Sequence, residues 1–101
     1  MSLYTLEKSS NPKKKYMITI ISKKTNREKT IHFGANGMSD FTIHKDESRK
    51  ARYINRHKSN ENWNDAETSG YYSRWVLWNL PSLKDSWNDT KAKLKSKGYI
   101  K

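Results

Sequence analysis

Two runs, Tyr16-Met17-Ile18-Thr19-Ile20-Ile21 and Lys29-Thr30-Ile31-His32-Phe33, decide the fold class. Both are rich in the β-branched and aromatic residues that fit a pleated, half-buried surface. In the first, Tyr16, Ile18 and Ile20 share one face at a period of two. In the second, Lys29, Ile31 and Phe33 alternate with polar residues. The polar stretch Lys23-Lys24-Thr25-Asn26 between them suits the connection of a β-hairpin.

Beyond the hairpin the period becomes helical. Gly34-Ala35-Asn36-Gly37 breaks the second strand. Asp40 or Thr42 can cap a first turn, while Asp46 and Glu47 suit the start of a helix reaching about Lys58, since carboxylates favour the N-terminal end of the helix dipole. Along that helix Ala51, Ile54 and His57 fall near one face. Tyr71, Tyr72, Trp75, Val76 and Trp78 then crowd together at spacings that predict a short, heavily buried helix, which Pro81 ends. Ser82 followed by Asp85 resembles a capping box. Leu83, Trp87, Thr90 and Leu94 form a helical stripe, and Gly98 supplies a stop after lysine-rich last turns.

Upstream, Ser9-Ser10-Asn11-Pro12 and Lys13-Lys14-Lys15 read as a basic, flexible arm. The expected architecture is therefore α+β: a small single domain over residues 16–97, with an N-terminal β-hairpin followed by two or three helices around a Trp/Tyr-rich core. Residues 1–15 form the arm and 98–101 a C-terminal tail.

Composition sharpens this. The chain has 101 residues, 33% hydrophobic and 31% charged, with a mean hydropathy of -1.14. That length suits one domain. Leu, Ile, Val and Phe are scarce, so the four Trp and six Tyr must supply much of the core; each can bury about 150–250 Å². The absence of Cys excludes disulfides, Cys-ligated zinc, iron–sulfur clusters and thiol catalysis. No apolar run approaches the roughly 18–20 residues of a membrane span, and no signal-peptide core follows Met1. The expected setting is intracellular.

Charge is the dominant feature. Twenty-one Lys and Arg against ten Asp and Glu give +11 and a pI near 9.9. Both ends of the chain are basic, and they flank a mildly acidic stretch from Glu61 to Glu67. Such a balance implies an anionic partner. Arg49, Arg52 and Arg56, at helical spacings of 3, 4 and 7, share one face, and the planar guanidinium fork suits phosphate or carboxylate. With Lys13, Lys14, Lys15, Lys23, Lys24 and Lys58 they form the candidate nucleic-acid or anion-binding set. Contact with six to ten phosphates would make affinity fall about 10³–10⁵-fold between 50 and 200 mM salt. Trp63, alone in a polar loop, is the candidate exposed aromatic contact.

Catalytic and metal signatures are weak. His44-Lys45-Asp46 are adjacent and occur once, unlike the longer, duplicated phospholipase D signature, and fit the start of a helix. His32, His44 and His57 show no i, i+4 His pair and no HExxH, so His57 reads as a helix residue near Glu61. Gly34-x-x-Gly37 lacks the Gly-Lys-Ser/Thr ending of a phosphate loop, and it follows a strand, whereas the KH-domain loop joins two helices. The reading is non-enzymatic, with no catalytic residue, metal, cofactor or small-molecule substrate.

Several strings carry a resemblance when taken in order. They are Phe33-Gly34-Ala35, Gly37 to Asp46, Arg52-Tyr53-Ile54-Asn55-Arg56-His57, Glu61-Asn62-Trp63 and Ser73 to Leu83. Together, over about residues 16–90, the chain resembles a family of small basic proteins encoded by large nucleocytoplasmic DNA viruses, including mimivirus and chlorella-virus relatives. It departs from that pattern at Tyr71-Tyr72, where a Phe-aromatic pair is expected. The resemblance brings no catalytic residues. It implies a viral origin, a place in the infected host cell (cytoplasm, viral factory or nucleus) or in the virion, and two roles: binding DNA or RNA backbone without sequence specificity, or cementing acidic viral structural proteins as a minor capsid protein through basic tails.

Overall fold

The computed structural model describes residues 5–99. An antiparallel sheet of β1 (Glu7–Lys8), β2 (Lys14–Ile21) and β3 (Glu28–Ala35), in that order, carries the helical part of the chain on one face. The helical segments are α1 (Phe41–His44), α2 (Glu47–His57), α3 (Ser69–Tyr72), a π-helical turn (Ser73–Leu77) and α4 (Leu83–Lys97).

The hairpin forms as its alternation requires. Tyr16 pairs with Phe33, Ile18 with Ile31 and Ile20 with Lys29, which puts these apolar residues on the same face. Ile18, Ile20 and Phe33 are fully buried there against Tyr71, Tyr72, Val76, Leu77 and Leu94. The rings of Phe33 and Tyr72 lie 5.5 Å apart, and the buried Tyr72 hydroxyl donates to the Ala66 carbonyl at 2.7 Å. The domain is thus a mixed α+β unit with an aromatic core, as expected, although the fully buried aromatics are Phe and Tyr. Trp75, Trp78 and Trp87 pack half-buried around that centre.

The chain departs from the expected arm over residues 1–15 in its part from Glu7 onward. Glu7 and Lys8 pair with Met17 and Tyr16, and β2 begins at Lys14, so Lys14 and Lys15 are strand residues. Turn bonds from Lys14 N–H to the Asn11 carbonyl (3.0 Å) and from Ser9 N–H to the Lys15 carbonyl (3.1 Å) fold this segment back. A strand of two residues is too short to show any period, so the sequence pattern carries no trace of it. Residues 1–4 of the arm, and 100–101 of the tail, lie outside the described residues. Tyr99 of that tail packs against the core.

The second departure is the π turn. An α-helix places buried residues three and four apart, whereas here the buried pair Tyr71/Tyr72 is followed by the buried pair Val76/Leu77 at a spacing of five. The bond from Trp78 N–H to the Ser73 carbonyl (3.1 Å) has that same spacing. The wider turn sends Val76 and Leu77 inward and leaves Trp75 at the edge.

α4 follows its local signals. Ser82 accepts from Asp85 N–H at 3.2 Å. Gly98, at φ 83°, lets its N–H reach the last carbonyls. No helix among the described residues is long and apolar enough to cross a membrane.

Candidate anion-binding surface

α2 is capped by Asp46, whose carboxylate accepts from Ser48 N–H (2.9 Å) and Arg49 N–H (3.3 Å). Its inward side is Lys50, Tyr53, Ile54 and His57. Ala51, expected inward, is exposed. The correction follows from Tyr53, whose large ring is buried and sets the helix rotation. Lys50 lies with it: its ammonium sits 4.9 Å from the Phe41 ring and donates to the Asn79 carbonyl at 2.6 Å.

Arg49, Arg52 and Arg56 are all exposed, and among the described residues none of the three guanidiniums has a hydrogen-bond or ion-pair partner. At 100° per residue they fall within an arc of about 60° and span about 10 Å of helix axis. Lys58, also exposed, sits about half a turn around from Arg49 and does not join them.

Arg56 also lines a cleft of about 280 Å³ between α2, the end of β3 and the π turn. An aromatic stack forms one wall. Tyr53 lies parallel to Trp78 (4.4 Å, 2°) and is stacked on its other side by His57 (4.4 Å, 29°). His57 Nδ1 donates to Glu61 Oε2 at 3.2 Å. The buried Tyr53 hydroxyl has no hydrogen-bond partner among the described residues. Burial first, then Glu61, pushes its phenol well above the ordinary value, against a smaller opposing effect of Arg74.

Across the cleft, Lys15 and Asp40 form a buried ion pair. Asp40 also caps α1, accepting from Thr42 N–H at 2.9 Å and from the Thr42 hydroxyl. Lys15, expected to be a free anion contact, is therefore committed inside the fold. Trp63 is corrected as well. It is half-buried, its indole N–H donates to Glu61 (2.8 Å), and its ring lies 5.5 Å from the Arg74 guanidinium. It is no open platform.

A neighbouring open groove of about 550 Å³ shares Lys15, Met38 and Ser39 with the cleft. Lys8, Lys14, Tyr16, Asn36, Gly37 and Ile43 line its remainder. Met38 and Ile43 are 65% and 62% exposed. Lys13 is exposed in the adjoining turn, which Asn36 ties down through its N–H to the Lys13 carbonyl (2.9 Å).

The other predicted lysines lie elsewhere. Lys23 and Lys24 follow the far end of β2, about 23 Å along the strand from Lys14. Lys23 donates to the Lys97 carbonyl and sits 4.5 Å from the Tyr99 ring, while Lys24 is 4.0 Å from Asp65. Glu67, read as part of an acidic loop, is buried beside them and accepts from the Ser22 hydroxyl and Lys23 N–H. The structure thus brings Lys14 and Arg56 to one groove system and leaves Lys23, Lys24 and Lys58 apart from it. Tyr53, Trp78, Met38 and Ile43 are site residues that sequence reasoning missed, while the expected closeness of His57 to Glu61 is found. The spacing of Lys50, Tyr53, Ile54 and His57 at i, i+3, i+4 and i+7 marks the true inner face. Among the described residues no three His, Asp or Glu side chains gather in a way that could hold a metal ion.

No curated protein and no solved structure matches the chain. A family model does match, over residues 4–57, which include the sheet, α1, the groove and all three arginines of α2. The match covers more than half of the 101 residues, and the chain belongs to that family, the family of unknown function DUF5754.

Proposed function

We propose that this is a non-enzymatic protein that binds nucleic-acid backbone, DNA or RNA, without sequence specificity. The observation that carries the reading is the α2 face, where Arg49, Arg52 and Arg56 stand exposed and unpaired. Several other cations are spent internally: Lys15 on Asp40, Lys50 on Asn79, and Lys93 on Asp89. Charge left unpaired along one helical arc is suited to a regularly charged polymer. The resemblance to proteins of large DNA viruses supports a viral origin and a working place in the infected cell or the particle. The alternative, a minor capsid protein, relied on basic tails; with Lys14 and Lys15 in β2, it draws no support from a long basic arm.

The test is binding to labelled duplex and single-stranded oligonucleotides from 50 to 300 mM salt, beside an Arg49/Arg52/Arg56→Ala variant. Three phosphate contacts give a log–log salt slope of about -2.7, or about a 40-fold loss between 50 and 200 mM. The variant should flatten the slope by that amount. Binding that ignores the variant overturns the assignment of α2.

A further inference from the structure

Resting on the backbone-binding reading, we infer that the preferred ligand is single-stranded nucleic acid, threaded through the groove and cleft that meet at Met38 and Ser39. Three observations support this. First, the cavities share a wall, so Lys8 and Lys14 on one side and Arg56 on the other are reached along one concave path. Duplex phosphates lie on the outside of a stiff cylinder, whereas a single strand bends into a concavity.

Second, the path is apolar between its cations. Met38 and Ile43 are among the most exposed large apolar side chains of the described residues, and both line the groove. Tyr16 and His57 offer partly exposed rings along the same walls. A duplex hides its base faces in the stack. A single strand presents them, and only then does a groove that alternates lysine with apolar surface gain from both kinds of contact.

Third, no carboxylate lines the larger groove, and Lys8 and Lys14 have no side-chain partner there among the described residues. The groove's charge therefore complements a polyanion. Asp40 and Glu61, in the smaller cleft, are already neutralised by Lys15 and bound by His57.

The experiment measures affinity for a single-stranded oligonucleotide, the corresponding duplex, and a peptide of alternating Asp and Leu. Wild type is compared with Met38→Ala/Ile43→Ala and with the triple arginine variant. Both apolar side chains are exposed, so the double variant folds; matching thermal unfolding confirms it. The expected result is a single-strand preference of about tenfold that the double variant abolishes while duplex binding stays unchanged. Equal or tighter binding to duplex overturns the inference and leaves the backbone reading standing. Tighter binding of the peptide overturns it in favour of an acidic protein partner. Failure to bind either nucleic acid overturns both readings.

Discussion

Lys15 and Asp40 meet from strands and turns 25 residues apart, with only 12% and 3% of their side chains exposed. The pair joins the first residues of β2 to the cap of α1 and so fixes the turn at which the groove meets the cleft. Removing one member of a buried pair leaves the other charged and unsolvated, which costs far more than the intact pair contributes. Lys15→Ala should therefore lower stability by about 3 kcal/mol, read as a shift in the urea unfolding midpoint. Lys13→Ala, two residues away and exposed, should leave that midpoint within about 0.5 kcal/mol of wild type.

Gly34 occupies φ +78°, and a Cβ built there would stand 2.7 Å from Leu77 Cδ1. Backbone strain and overpacking act together at this point, where β3 passes under the π turn. Gly34→Ala should cost about 2–3 kcal/mol in chemical denaturation. Gly37→Ala, also at positive φ but in open space, should cost only the backbone part, about 1 kcal/mol.

Glu67 clamps the β2–β3 loop from the far side of the chain, accepting from the Ser22 hydroxyl and from Lys23 N–H at 3.2 Å. Glu67→Ala strands both donors and should cost about 1–3 kcal/mol. Amide hydrogen exchange reads the effect directly: the Lys23 N–H should lose protection by more than global destabilisation accounts for.

Tyrosine ionisation sets an alkaline limit. Burial, the largest cause, pushes the Tyr71 phenol up to about 12, and Tyr72 and Tyr53 also lie above their ordinary value of 10.0. A phenol whose folded pKa is raised favours folding while it stays neutral. That stabilisation is complete below about pH 10 and is lost as pH rises through the folded pKa. The unfolding midpoint should fall between pH 10 and 12, with tyrosinate absorbance appearing as the cooperative transition occurs. Ionisation of all six tyrosines across that range with no loss of structure would refute the buried placement of Tyr71 and Tyr72.

What the sequence reveals depends on the range over which each signal acts. Asp46, Ser82 and Gly98 are legible because caps depend on two or three neighbouring residues. The hairpin register is legible because Tyr16, Ile18 and Ile20 alternate over a full strand. The arginine face follows from spacing within one helix. The Lys15–Asp40 pair and the Glu67 clamp join residues 25 and 44–45 positions apart, and no local pattern announces them. Trp63 reads as free in the chain, and only the fold brings Arg74 over its ring. The rotation of α2 is not legible from Ala51, Ile54 and His57 alone, because the large ring of Tyr53 and not the small Ala51 side chain sets the inner face.

The π turn lets the chain carry one residue more than an α-helix would hold at the same place. One residue fewer between Tyr72 and Val76 would restore four-residue spacing, and the helix could then run through as ordinary α. The two apolar pairs would then lie about 40° apart and still share a face, whereas the present five-residue count wound as plain α-helix would set them about 140° apart, lifting Leu77 from Gly34 and Trp78 from Tyr53. The wide turn is therefore what absorbs the fifth residue and keeps both pairs facing the core. The wall of the cleft is written in the count of residues as much as in their identities.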